Sequence, residues 1–198
     1  MSIHLFKSYR QMTDEELMKR ASHGNDAAFE ELYRRYARRL QGFFFRQLGG
    51  DDEAAADLTH DVFLRAYEAK DRYAEGSNVA TWFFSIAYNL CKNSYRHNDH
   101  ITRFLATLDA EPQTEEEVEV RLTQEQQRDA VRKALQSLPP PLHLLFSLHY
   151  EEELTFSQIA QIGHLPEGTV KSRIYKTLNI IRQKLTDLWP HIHNNPRI

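Results

Sequence analysis

Residues 155–185 read TFSQIAQIGHLPEGTVKSRIYKTLNIIRQKL, and this stretch decides the fold. Thr155 followed by Gln158 has the form of a capping box, in which each side chain satisfies a backbone donor of a helix's first turn. The pattern predicts a short helix over 156–162. Gly163 is expected to supply a flexible or left-handed stop. Pro166 stands where a new helix can begin, since its missing N–H has no partner to lose there. Two helices joined by about four residues make a helix-turn-helix.

In the second helix Val170, Ile174, Leu178, Ile181, Leu185 and Leu188 recur at spacings of four and three, which gives one apolar stripe. The other faces carry Lys171, Ser172, Arg173, Tyr175, Lys176, Arg182 and Lys184, with Glu167 as the one acid of the stretch. Cations and hydroxyls on an exposed helix suit phosphate oxygens and major-groove base edges. A solvated amphipathic helix has the same charge pattern. The short helix and tight turn before it favour DNA binding.

Upstream, 142–151 and 124–137 read as helices flanking the break at Pro139, Pro140 and Pro141. Before them, from Asp109 to Glu125, seven acids face one base, Arg121, with Pro112, Gln113 and Thr114 among them. Such a segment cannot bury enough apolar surface to fold alone and reads as a flexible acidic linker. Before that come four more helical patterns. Thr13 and Glu16 form a second capping box, with the helix stopping at Gly24. Asn25 or Asp26 caps a long helix with Phe29, Leu32, Tyr33, Tyr36, Leu40, Phe43, Phe44 and Leu48 inward, ended by Gly49 and Gly50. Asp51 and Asp52 cap a third, read over 53–73, with Ala55, Leu58, Val62 and Ala66 inward. The period fails between Asp71 and Val79, a loop, and a fourth helix follows with Val79, Phe83, Ile86 and Leu90 inward. The expected fold is all-α: two small helical domains joined by a flexible acidic linker, the second carrying the helix-turn-helix.

With 198 residues, seven glycines and almost no β-branched alternation, the composition agrees. The lone Cys91 excludes an internal disulfide and fits a reducing cytoplasm. The first residues, MSIHLFKSYRQMTDEE, hold no long apolar run, so neither a signal peptide nor direct membrane insertion is expected. A net charge of −3 means that any DNA contact relies on local patches.

DEELMKRASHGNDAAFEELYRRYARRL, DLTHDVFLRAY, TWFFSIAYNLCKNSYR, LQSLPPPLHLLFSLHY and the helix-turn-helix with its GTVKSR occur in this order. In that order and spacing the chain strongly resembles the extracytoplasmic-function sigma factors of bacterial RNA polymerase, from about Thr13 to Leu185. The resemblance implies residues 10–98 as a domain for core polymerase docking and minus-10 melting, 99–123 as the linker, and 124–189 as the minus-35 domain. It implies a docking face of Asp57, His60, Asp61, Leu64 and Arg65, although the family often has glutamine at His60. Tyr73, Asn78, Trp82, Asn89, Lys92, Asn93 and Arg96 would meet the minus-10 element, where a flipped base must be held by stacking and hydrogen bonds. For any one aromatic there, core packing is the rival reading, and for Phe83 the better one. Glu167, Thr169, Lys171, Ser172, Arg173, Tyr175 and Lys176 would meet the minus-35 element. The family commonly carries arginine at Lys176, and a lysine leans more on phosphates and DNA shape. Arg173 could instead pair with a carboxylate of the fold. The linker could mimic RNA in a basic channel or be merely solvated.

The resemblance also implies promoter DNA, core RNA polymerase and a regulating anti-sigma factor as partners, a role in stress response, and no catalytic residue, metal or cofactor. Two rivals stand beside it. One is a helix-turn-helix regulator that binds duplex DNA without polymerase. The other is a metal phosphohydrolase built on His60-Asp61, for which His23 is a conceivable further ligand and His191 and His193 incidental ones.

Overall fold

The computed structural model describes residues 8–96 and 124–188, and every regular element among them is helical. Helices α1 (Asp14–Ser22), α2 (Asp26–Gln47), α3 (Asp52–Ala69) and α4 (Val79–Arg96) form the first unit. The second comprises α5 (Gln124–Gln136), α6 (Pro140–Phe146), α7 (Phe156–Gly163) and α8 (Glu167–Leu188). The expected linker 99–123 and the histidines 191 and 193 lie outside the described residues.

Short polar side chains start these helices. Thr13 accepts from the Glu16 N–H at 3.2 Å while the Glu16 carboxylate accepts from the Thr13 N–H at 2.8 Å, completing the capping box of α1. Asn25 and Asp51 cap α2 and α3 through the amides of Ala28 and Ala54, each at 3.0 Å. Asn78 caps α4 through the Thr81 amide at 2.8 Å. Gly49 and Gly50, at φ 70° and 97°, turn the chain out of α2 into a conformation costly for any residue with a Cβ.

Some expected boundaries move. The third helix ends at Ala69 and tightens into a 3₁₀ turn over Lys70–Arg72. The expected helix over 142–151 instead begins at Pro140 and widens at Ser147–Glu151 into a π turn. There the Glu152 amide reaches back to the Ser147 carbonyl at 3.0 Å. Tyr33, expected inward, leans on Phe63 with ring centroids 4.5 Å apart yet is 47% exposed.

The core of the first unit is aromatic. Phe43, Phe44, Phe83 and Phe84 are fully buried with Leu17, Met18, Leu32 and Leu40. Tyr36 stacks on Phe83 at 4.9 Å, and Phe43 meets Phe84 edge-on at 5.4 Å. Burial of each such side chain contributes about 1.5–3 kcal/mol. In the second unit Leu142, Leu145, Leu148, Ile159, Ile162, Val170 and Ile174 are buried. The stripe of α8 is deepest at its start: Val170, Ile174 and Thr177 are buried, whereas Leu178, Ile181 and Leu185 are half-buried.

The two units do not stand apart. α7 packs on α4, α6 touches α2, and the buried residues of both join one apolar cluster.

Candidate nucleic-acid interface

The helix-turn-helix is formed by α7, the three residues His164, Leu165 and Pro166, and α8. Thr155 and Gln158 cap α7 reciprocally, at 3.3 and 2.8 Å. The left-handed residue of the turn is His164, at φ 51° and ψ 45°, and not Gly163. The Leu165 amide bonds the Ala160 carbonyl at 3.0 Å, closing the turn as a Schellman motif. Gly163 stays helical for a different reason. A Cβ there would lie 3.3 Å from Leu165 Cδ1 and 3.5 Å from the Tyr88 hydroxyl of α4.

The exposed side of α8 carries Lys171, Ser172 and Tyr175, the last 60% exposed, while Thr169, Arg173 and Lys176 are half-buried. Lys171 Nζ pairs with Glu167 at 2.7 Å, and that hydrogen bond raises the lysine above its ordinary range. Glu167 therefore neutralises part of the face before any DNA arrives. Ser172 donates to the Thr169 carbonyl at 3.1 Å. Arg173 lies close enough to Tyr88 to oppose the upward shift that burial imposes on that hydroxyl.

On α4, Asn89, Lys92 and Asn93 are exposed on one face by spacing, while the side chain of Arg96 lies outside the described residues. Trp82 is half-buried, edge-on to Tyr73 at 5.7 Å and to Phe83 at 5.4 Å. Phe83 itself is fully buried. Two expected base contacts change character. Tyr73 is only 7% exposed and its hydroxyl donates to the Ser77 carbonyl, so it buttresses Trp82 and offers no free ring face. The Asn78 side-chain oxygen is committed to the Thr81 amide and hydroxyl, at 2.8 and 3.0 Å, which leaves only its NH₂ for a ligand.

Local periodicity gave no sign of what faces this row. Gln158, Gln161 and His164 of the second unit stand opposite Trp82, Ser85 and Asn89 across a cleft of about 560 Å³. These side chains come from elements some 70 residues apart, and only packing joins them. On α3, Asp57, His60, Leu64 and Arg65 are exposed and Asp61 half-buried, with Leu64 at 50% exposure. Tyr67, 40% exposed, extends the apolar part of this side and was not singled out by sequence. Among the described residues no group of three or more His, Cys, Asp and Glu converges as metal ligands would, and His60-Asp61 has no such company. Nor, among them, is any helix long and apolar enough to cross a membrane.

Two family models match, in the order of the two units: Sigma-70 region 2 over residues 32–101 and Sigma-70, region 4 over residues 128–179. Over 187 residues the sequence is 28% identical to the ECF RNA polymerase sigma-E factor of Escherichia coli K12, covering 90% of this chain and 97% of that protein. The chain belongs to the sigma-70 family, in its extracytoplasmic-function (ECF) group. The sigma-E factor of Haemophilus influenzae Rd is also 28% identical, over 194 residues, covering 90% of this chain and 98% of that one. Two solved structures share the fold. CnrH, solved with the cytosolic domain of CnrY, superposes with a TM-score of 0.66 at 20% identity, covering 88% of this chain and 97% of that one. The Bartonella quintana sigma factor RpoE, solved with the anti-sigma factor NepR, gives 0.60 at 21% identity, covering 80% and 96%. This sigma factor is thus a DNA-binding initiation factor that works with RNA polymerase through regions 2 and 4.

Proposed function

We propose that this sigma factor docks on core RNA polymerase through Asp57, His60, Asp61, Leu64 and Arg65 of α3. A mixed-charge row around one exposed leucine suits a complementary partner surface with a small apolar centre. Residues 10–98 then act as the docking and melting domain, 99–123 as the tether and 124–189 as the minus-35 domain. Trp82, Asn89, Lys92, Asn93 and Arg96 receive the unstacked non-template strand of the minus-10 element, with Tyr73 and Asn78 positioning them. Lys171, Ser172, Tyr175 and Lys176 meet the minus-35 element, with Glu167, Thr169 and Arg173 holding that helix face in place. The protein works in the cytoplasm, without catalytic chemistry or cofactor, and an anti-sigma factor restrains it, as NepR is bound to RpoE and the cytosolic domain of CnrY to CnrH in their solved structures.

The observation that carries this reading is the pairing of two polar helix rows, on α4 and α8, in one chain ordered as regions 2 and 4. Run-off transcription by purified core polymerase, with and without the protein, on a pool of bacterial promoter fragments tests it. Transcripts that depend on the protein and share two upstream elements at fixed spacing are expected. Duplex binding that needs no polymerase, with no transcripts, would make the chain a stand-alone regulator.

A further inference from the structure

α1 carries no residue of the base-reading rows, yet two of its side chains tie down the segment that links α3 to α4. Glu15 and Lys19 stand four residues apart, on one side of that helix. Lys19 Nζ reaches the Glu75 carboxylate at 2.8 Å, across 56 residues of sequence. The Glu15 carboxylate accepts from the Val79 N–H, at the first residue of α4, at 3.4 Å. A hydrogen bond of that length is weak, and the larger contribution of Glu15 is its negative charge beside a helix N-terminus.

Between these two ties lies a tight turn. The Ser77 amide bonds the Ala74 carbonyl at 3.0 Å, Gly76 takes φ 85°, and the Tyr73 hydroxyl donates to the Ser77 carbonyl across the base of the turn. Residues 74–78 are all exposed, whereas Tyr73 and Val79, which bound them, are buried. Burial pushes the Tyr73 hydroxyl up to about 12, and the charges of Glu15 and Asp14 add to the rise, so both carboxylates lie near it. The Lys19 hydrogen bond in turn holds the Glu75 carboxyl below its ordinary range. With no buried side chain between its ends, the turn is placed by those ends and by Lys19 at its exposed middle.

Lys19 and Glu75 keep 58% and 57% of their side-chain surface in water, and so exposed a pair adds little to the stability of a fold. Its effect falls instead on a segment that has few buried contacts to choose one conformation over another. A base that leaves the duplex stack is received best by a loop already in its receiving conformation, because ordering of the loop then no longer opposes the flip. We propose that Glu15 and Lys19 are positioning residues for the minus-10 element, holding the turn over 74–78 in the conformation that receives the unstacked base. The assignment rests on the functional reading above for the identity of the strand received there. α1 thereby takes part in promoter opening without itself contacting DNA.

Two measurements on the full-length chain separate the tie from its use. Amide hydrogen exchange at Ser77 and Val79 reads the turn directly. Glu15→Ala and Lys19→Glu should each raise exchange there about threefold, and about tenfold together, with the thermal midpoint and the exchange of the Phe83 and Phe84 amides unchanged. Glu15→Gln keeps an acceptor without the charge and should fall between parent and Glu15→Ala. Glu75→Lys in the Lys19→Glu background remakes the pair with its signs exchanged and should restore most of the protection. Should the double variant of α1 fail to fold, Lys19→Glu alone, on an exposed side chain, gives the same readings.

Run-off transcription with core polymerase reads the use. The probes are promoter fragments recovered by run-off mapping, each with a single abasic site at one position of the non-template minus-10 strand. For the parent chain one site should cost far more than its neighbours, because the base that the turn receives is missing. In the α1 variants the cost of that one site should shrink at least about threefold while the other sites cost the same, and the charge-exchanged pair should regain it. A merely structural loss would lower transcription from every fragment alike, and that result overturns the proposal. Unchanged exchange in folded variants overturns the tie. Raised exchange with the abasic cost unaltered overturns its role in base capture. In these cases intact transcription by the parent chain leaves the functional reading standing. Raised exchange with no protein-dependent transcript from the parent chain removes the functional reading, and the positioning role falls with it.

Discussion

His164 holds the turn of the helix-turn-helix in a left-handed conformation that costs a residue with a Cβ about 1–2 kcal/mol. His164→Gly removes that cost against some loss of unfolded-state restriction, so a gain of roughly 0.5–1 kcal/mol in stability is expected from denaturant midpoints. Glu31 gives a pH prediction. Arg34 bonds it through two nitrogens, at 2.6 and 2.8 Å, and Arg35 through a third at 2.9 Å. The Arg34 hydrogen bonds lead the causes that hold its carboxyl near a pKa of about 2. The folded value lies below the unfolded one of about 4.3, so this stabilisation is complete above that pH and disappears as pH falls through about 2. Glu31→Gln should therefore flatten the acid limb of stability against pH between those values, and an unchanged limb would remove the cluster from the account. Lys171 and Lys176 make the third residue-scale test. Charge removal at either should weaken promoter binding and lower the salt slope by about one unit for each phosphate that is no longer neutralised. Because Glu167 already pairs with Lys171, the Lys171→Ala effect should grow in a Glu167→Gln background, where the lysine has no ion pair to give up.

Under the proposed function individual helices carry separable tasks, and substitutions should sort accordingly. Phe83 sits at the centre of α4's inner face, fully buried against Tyr36, Phe63 and Trp82. Phe83→Ala should destabilise the first unit by about 3–5 kcal/mol, visible as a lowered thermal midpoint. On α3, exposed Leu64→Ala and half-buried Asp61→Ala should leave that midpoint within about 0.5 kcal/mol while weakening competition for core polymerase. Equal loss of stability in both sets would mean that α3 serves the fold alone. The helix starts were legible because a cap is a local chemical pattern: Thr13 with Glu16, Thr155 with Gln158, and Asn25 and Asp51 act as their spacing predicts. The π turn was not legible. Its widening depends on what Ser147, Glu151 and Glu152 meet on α2, a hundred residues earlier in the chain.

At the scale of the molecule, a net charge of −3 gives duplex DNA little general attraction. The chain without polymerase should therefore retain promoter duplex no better than unrelated duplex in a binding assay run across salt concentrations. The sequence by itself determined the all-helical class, the two units in their order, the helix-turn-helix and the positions of the charged rows on α3, α4 and α8. Period, cap and charge are properties of neighbours within about one or two turns, and a linear reading recovers them. Which aromatic is buried is a different kind of fact. Tyr73 looked available for stacking on its loop, and only the fold tucks its ring against Trp82 and spends its hydroxyl on Ser77. Likewise Gly163 looked like the stop of its helix, and only the approach of Tyr88 and Leu165 shows why a glycine stands there while His164 takes the strained turn. The joining of the two units through Arg39, Arg46, Glu151 and Glu152 was decided by tertiary structure alone, because the energy of a buried charge depends on partners that are distant in sequence.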